Sequence, residues 1–267
     1  MSKMDNVVKT KLSLDSKFKF RCHKDIKCFT KCCSNVEILL TPYDVLRLKN
    51  RLALSSEEFL EMHTYMKIDD SSSHPYAMLL MNDDKERKCP FVTEQGCSVY
   101  EDRPANCRYY PVGQGTLKVD GKNGPVDEEF YFFINEKHCL GFEEDKEWTI
   151  ASWRNDQEVD KYDEVNREWK SIQMRKNLPN ESGIDEKKQH QFYMASYDLD
   201  RFRRYIFESR FLDIFDIDKT VVEDIRNNDV ALIKFGAMYI KYVMMLDQTL
   251  KVRDEHLNIK DKNTSDK

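Results

Sequence analysis

Hydrophobic positions recur at three- and four-residue intervals through the second half of the chain. From 157 to 174, Val159, Tyr162, Val165, Trp169 and Ile172 fall on one helical face. LPNESG (178–183) breaks that run, and three further stretches show the same amphipathic spacing: 188–197, 199–209 and 229–248. The first half has shorter elements. TPYDVLRLKNRL (41–52) predicts a helix capped by Thr41, with Pro42 in its first turn and Val45, Leu46 and Leu48 buried. SSEEFLEMH (55–63) predicts another, its Ser55 and Glu58 spaced as a capping box. After a loop at 71–75, residues 76–81, 82–87 and 88–92 read as strand, turn and strand. Gly96 marks a turn before a short strand at 97–100, and Pro104 opens a short helix. Residues 112–126 read as a glycine-rich hairpin or loop, and EEFYFFI (128–134) as a strand rich in aromatic and β-branched side chains. Residues 20–35 follow neither period.

This pattern predicts an α+β fold: a small domain of short strands and helices, followed by a mainly α-helical C-terminal portion. The expected organisation is an N-terminal arm (1–17), a first domain (18–147), a helical region (148–250) and a solvated tail (251–267). Composition supports folded structure. The 267 residues are 40% hydrophobic with 15 Phe, 13 Tyr and 3 Trp, enough for a real core, and 8 Gly and 7 Pro are few for a disordered chain. A net charge of −5 argues against a general nucleic-acid partner. No apolar run reaches the roughly 20 residues that cross a bilayer, and residues 1–17 lack the apolar centre of a signal peptide, so the expectation is a cytoplasmic protein without membrane association.

The chemistry lies in the cysteines. All eight fall between 22 and 139, as Cys22-x5-Cys28-x3-Cys32-Cys33, Cys89-x7-Cys97-x9-Cys107 and Cys139. Disulfides are rare in a reducing cytosol, a chain of this length has core enough to fold without them, and bonding adjacent Cys32 and Cys33 is strained. No C-x-x-C redox motif is present. Thiolates hold zinc or iron–sulfur centres, usually four to a centre, and short loops supply them at little closure cost. Eight thiols satisfy two such centres. Adjacent residues of extended chain point to opposite sides, so Cys32 and Cys33 are placed to serve different ones. Basic residues flank the cysteines in an acidic chain (Arg21, Lys24, Lys27, Lys31, Arg87, Lys88, Arg103, Arg108 and Lys137), as a negative thiolate centre requires. His23 and His138 adjoin Cys22 and Cys139 as candidate bases or alternate ligands.

The ordered set Cys28-x3-Cys32-Cys33, Cys89-Pro90-Phe91, Gly96-Cys97, Tyr100–Pro104, Cys107-Arg108, Tyr110-Pro111 and Cys139 resembles the YkgJ-type cysteine-cluster family over about residues 20–142. The resemblance implies zinc or iron chelation, a bacterial source and, for some members, an iron–sulfur oxidoreductase. Cys22 stands farther from Cys28 than the family's first pair. Flagellin lysine-N-methylases carry a similar cluster, but the glycine-rich strand–loop–helix of a nucleotide-type site is missing from this sequence. Two readings stand. One is a zinc or iron–sulfur protein acting as an oxidoreductase or group-transfer enzyme on an unknown substrate; the other is a structural zinc protein whose helices bind a protein partner. Whether the chain is an enzyme stays open.

Overall fold

The structure, a computed structural model, describes residues 8, 10–121, 124–174 and 184–255. The break expected at 178–183 and most of the tail lie outside them. The fold is mixed, with many helices and short antiparallel strand pairs. It divides into two compact units, Met1–Ile38 with Leu80–Tyr162 and Leu39–Leu79 with Asp163–Lys267, and the division falls inside the helix Val159–Gln173.

The first unit holds every cysteine. Its core gathers Phe18, Phe20, Val112, Tyr131, Ile150 and Trp153. Lys17–Lys19 pairs antiparallel with Glu147–Thr149, placing Phe18 opposite Trp148. Val112–Gly121 and Gly124–Phe133 form one long hairpin, so the glycine-rich segment and the aromatic strand after it are partners. Residues of the expected arm dock on that hairpin: Val8 N–H donates to Phe133 O at 3.0 Å, and Leu12 exchanges both backbone bonds with Tyr131. Thr149 and Ser152 cap the helix Ile150–Asp156 reciprocally.

The second unit is mainly helical. Pro42–Arg51 and Ser56–His63 start from the expected capping boxes, Thr41 with Asp44 and Ser55 with Glu58. The strand Pro75–Leu79 pairs with Thr64–Ile68, whereas the sequence pointed to 88–92 as its partner. Thr64–Ile68 follows a helix with no turn signal between them and is mostly exposed, so no alternation marks it. Helices Glu186–Tyr197, Leu199–Glu208 and Asp229–Val243 stand where the periodicity put them. Two short ones, Phe211–Ile214 and Lys219–Asn227, were not predicted. Phe192, Phe202, Phe235 and Tyr239 are buried, so the aromatic face of the last long helix is core.

Candidate metal centre

Three stretches bring the thiols together, and backbone hydrogen bonds fix their approach. Cys89 N–H donates to Cys33 O at 2.8 Å and Asn35 N–H to Arg87 O at 3.0 Å, joining the first cysteine loop to the second. Arg21 N–H donates to Gly141 O at 3.0 Å, and Leu140 N–H to Cys28 Sγ at 3.3 Å, bringing the Cys139 loop against the first. At Gly141 a Cβ would stand 2.5 Å from the Phe20 ring, so glycine lets this loop lie on the core. Val92–Thr93 and Gly96–Cys97 form a minimal hairpin whose turn needs Gly96 at φ +114°. Cys107 rides on the helix Ala105–Tyr109, started by Pro104.

The loops carry strain where they pass the thiols. Among the described residues, Thr30 (φ 64°), Asn35 (φ 52°) and Arg87 (φ 47°) take the left-handed conformation, beside Cys28, Cys32–Cys33 and Cys89. For a β-branched residue such as Thr30 this is a true outlier, and such strain costs on the order of 1 kcal/mol or more per residue unless the site over-determines it.

All eight cysteines carry free thiols. Their mutual electrostatics group them around Cys22 and around Cys33, with Cys32 acting on both groups. Cys22 feels Cys32, Cys28 and Cys139; although exposed as a residue, its thiol is pushed up to about 11, first by burial and then by those three neighbours. Cys33 feels Cys107 and Cys89, and Cys89 feels Cys97 and also Cys32. The sets meet at Cys32 and Cys33. A hydrogen bond between the two thiols pushes Cys32 down to about 7 and Cys33 upward, burial adding to the rise at Cys33. Burial raises Cys89 and Cys97, against backbone N–H donors from Phe91 and Val92 on the first and Val99 on the second.

This segment, residues 21–147, matches a family model described as a "putative zinc- or iron-chelating domain". It is a domain of that cysteine-cluster family. No curated protein and no solved structure matches the chain. The chelating domain therefore supplies metal binding of the zinc or iron class, and the match spans residues of both units.

The donors fit such a metal in chemistry: soft sulfur, with N–H groups aimed at several of the atoms as thiolates need. The sets are gathered but not closed. Among the described residues, no three or more His, Cys, Asp or Glu side chains are arranged to hold an ion as they stand. Protonated thiols gain little by converging; a cation displaces their protons and supplies the missing attraction. Backbone hydrogen bonds fix the approach of the loops.

Of the flanking cations, Arg103 acts on the thiols: its buried guanidinium lies within electrostatic range of Cys97 and Cys107 and favours their anionic form. Arg108 is spent on structure, donating to Arg103 O at 3.1 Å, Gln157 O at 2.9 Å and Glu101 O, with its guanidinium over the Tyr162 ring. The flanking lysines are exposed. His23 faces carboxylates, Glu144 at 3.4 Å and Asp25 at 3.9 Å, and His138 lies 4.0 Å from Glu136. Sequence reasoning missed Gln157, whose Oε1 accepts from Arg103, and the N–H groups that reach sulfur. Backbone donors have no residue signature; Gln157 has none either, since only the fold brings it to Arg103.

Proposed function

We propose that the chain holds two metal centres of four thiolates each. Cys22, Cys28, Cys32 and Cys139 form one, and Cys33, Cys89, Cys97 and Cys107 the other. The observation that carries this is the grouping of eight free thiols within one unit around Cys22 and around Cys33, the two groups joined through Cys32, which acts on Cys22, Cys33 and Cys89. Two neighbouring sulfur-ligated centres are the arrangement of an iron–sulfur protein in redox or group-transfer chemistry, and Phe20, Tyr110 and Phe142 beside Cys139 would limit solvent access to the first.

One observation favours a second reading. The loops around the thiols have little regular structure, which is what a structural zinc centre staples together, leaving the helical unit for a partner. Purification without oxygen separates the two. Iron with acid-labile sulfide and a brown colour is expected for the first reading; stoichiometric zinc in a colourless protein establishes the second. Alanine in place of Cys28 should remove one of the two centres, and in place of Cys97 the other. Metal content unchanged by both substitutions overturns the assignment of ligands.

A further inference from the structure

The strand pair of the helical unit has one side taken and one side open. Thr64–Ile68 lies against Pro75–Leu79, with Met66 opposite Ala77 and Ile68 opposite Pro75. The far side of Pro75–Leu79 is occupied: Leu39 bridges Met78, and Leu40 N–H donates to Ala77 O at 2.9 Å. In an antiparallel ladder a residue sends its N–H and C=O to the same side, and the side alternates along the strand. Ala77 faces Leu40, so Met66 makes no ladder bond to it and turns its own backbone groups outward. The rest of the ladder agrees. Asp69 N–H donates inward to His74 O at 3.0 Å, and Pro75, which has no N–H to give, stands opposite Ile68. Tyr65 and Lys67 therefore bond inward, while Met66 and Ile68 offer N–H and C=O to the open side.

A bare edge is a template for another strand, and proteins blunt such edges with charge, proline or a covering segment. This one is apolar. Tyr65, Met66 and Ile68 are 37%, 47% and 42% exposed, and Met62 just before them is 59% exposed. Among the described residues, no other run of seven exposes four large apolar side chains. The edge also complements itself. Two copies set antiparallel about a twofold axis at Met66 bring Met66 against Met66, and Ile68 N–H against Thr64 C=O in both directions. A slip of one residue would set outward groups against inward ones, and a slip of two would leave one end unpaired. In the register at Met66, Lys67, the strand's one charge, stands opposite Tyr65 of the second copy. That places it in the closer, non-hydrogen-bonded pair, where a cation meets an aromatic ring and no like charges oppose.

We propose that Thr64–Ile68 is a self-association edge through which two copies of this chain join at Met66, turning the two-stranded ladder into a sheet of four. The contact is isologous: the same patch serves both copies, so backbone pairing and the Tyr65–Lys67 match are each made twice. It also completes an element that is marginal as two strands alone. An edge of five residues buries less than a permanent dimer interface does, so the association is weak and concentration-dependent. The proposal does not depend on the metal centres.

Sedimentation of the full chain from micromolar to submillimolar concentration tests this, with a reductant present so that the eight free thiols do not cross-link copies. The wild type should pass from monomer to dimer across that range. Met66→Lys sets two cations together on the axis and should weaken the dimer about a hundredfold, as should Met66→Glu with two carboxylates. Mixing the two variants should restore it as a heterodimer. Amide exchange reads the register directly: Met66 and Ile68 should slow as concentration rises, while Tyr65 and Lys67, bonded inward, should not change. A wild type that stays monomeric throughout overturns the proposal, as does a dimer that Met66→Lys leaves intact. Charge variants that fail to pair when mixed overturn the axis at Met66. A Met66 amide protected at every dilution means that the chain's own residues cover the edge, which also overturns it.

Discussion

The two units are built on different physical terms. The helical unit buries long faces: Phe192, Phe202, Leu232, Phe235 and Tyr239 lie inside it, and its helices open on side-chain caps. The cysteine unit has one aromatic core, but the loops carrying its thiols have little helix or strand and a few cross-loop hydrogen bonds. The first arrangement is sufficient in itself. The second gathers sulfurs that, as neutral thiols, attract one another little. The contrast teaches that the helical unit's stability is apolar burial, while on the two-centre reading proposed above the loops of the other depend on metal.

Chelation should separate them most sharply. Removing metal is expected to abolish hydrogen-exchange protection across residues 22–35 and 88–108 while leaving 192–207 and 229–243 protected, with a loss on the order of 10 kcal/mol per centre at neutral pH. Equal changes in both regions would break the comparison. The converse cut comes next. Phe202 is fully buried, so Phe202→Ala should cost about 3–5 kcal/mol in a urea melt. Metal content, measured by elemental analysis, should not change.

Legibility follows the same line. The face of Val159, Tyr162, Val165, Trp169 and Ile172 could be read because helical contacts are local, and all five are buried. The ladder between Thr64–Ile68 and Pro75–Leu79 could not, since an exposed strand shows no alternation. Nor could the return of Leu39–Leu79 to the later helices, which depends on side chains far apart in sequence. In the candidate centre the eight cysteines were visible in spacing, but Cys32 and Cys33 read as diverging residues of extended chain, whereas Lys31–Cys33 is a 3-10 turn and the two thiols hydrogen-bond to each other.

His74 extends the comparison to pH. It is fully buried in the helical unit, stacked on Phe192 at 4.7 Å, and burial pushes it down to about 4, partly opposed by Asp69. The unfolded chain binds that proton near pH 6.5, so this stability is complete above 6.5 and is lost as pH falls toward 4. Urea midpoints should show about 2 kcal/mol less stability at pH 5 than at pH 7. His74→Phe, which keeps a ring against Phe192, should flatten that part of the profile, and a slope unchanged in the variant would assign it to other groups.

The smallest effect tests what a readable motif is worth in its surroundings. Thr41 and Ser55 show the same capping signature and form the same reciprocal pair of bonds. Ser55 does so at the surface, so Ser55→Ala should cost about 0.5–1 kcal/mol. Thr41 is buried, and Asn166 Nδ2 also donates to its hydroxyl at 3.0 Å. Thr41→Ala removes the cap and that acceptor together, so about 2 kcal/mol is expected. Asn166→Ala should shrink the difference, because in that background Thr41 is again only a cap. Equal losses for the two caps in the wild-type chain would mean that the buried Asn166 contact adds nothing, and that local sequence already set the strength of both.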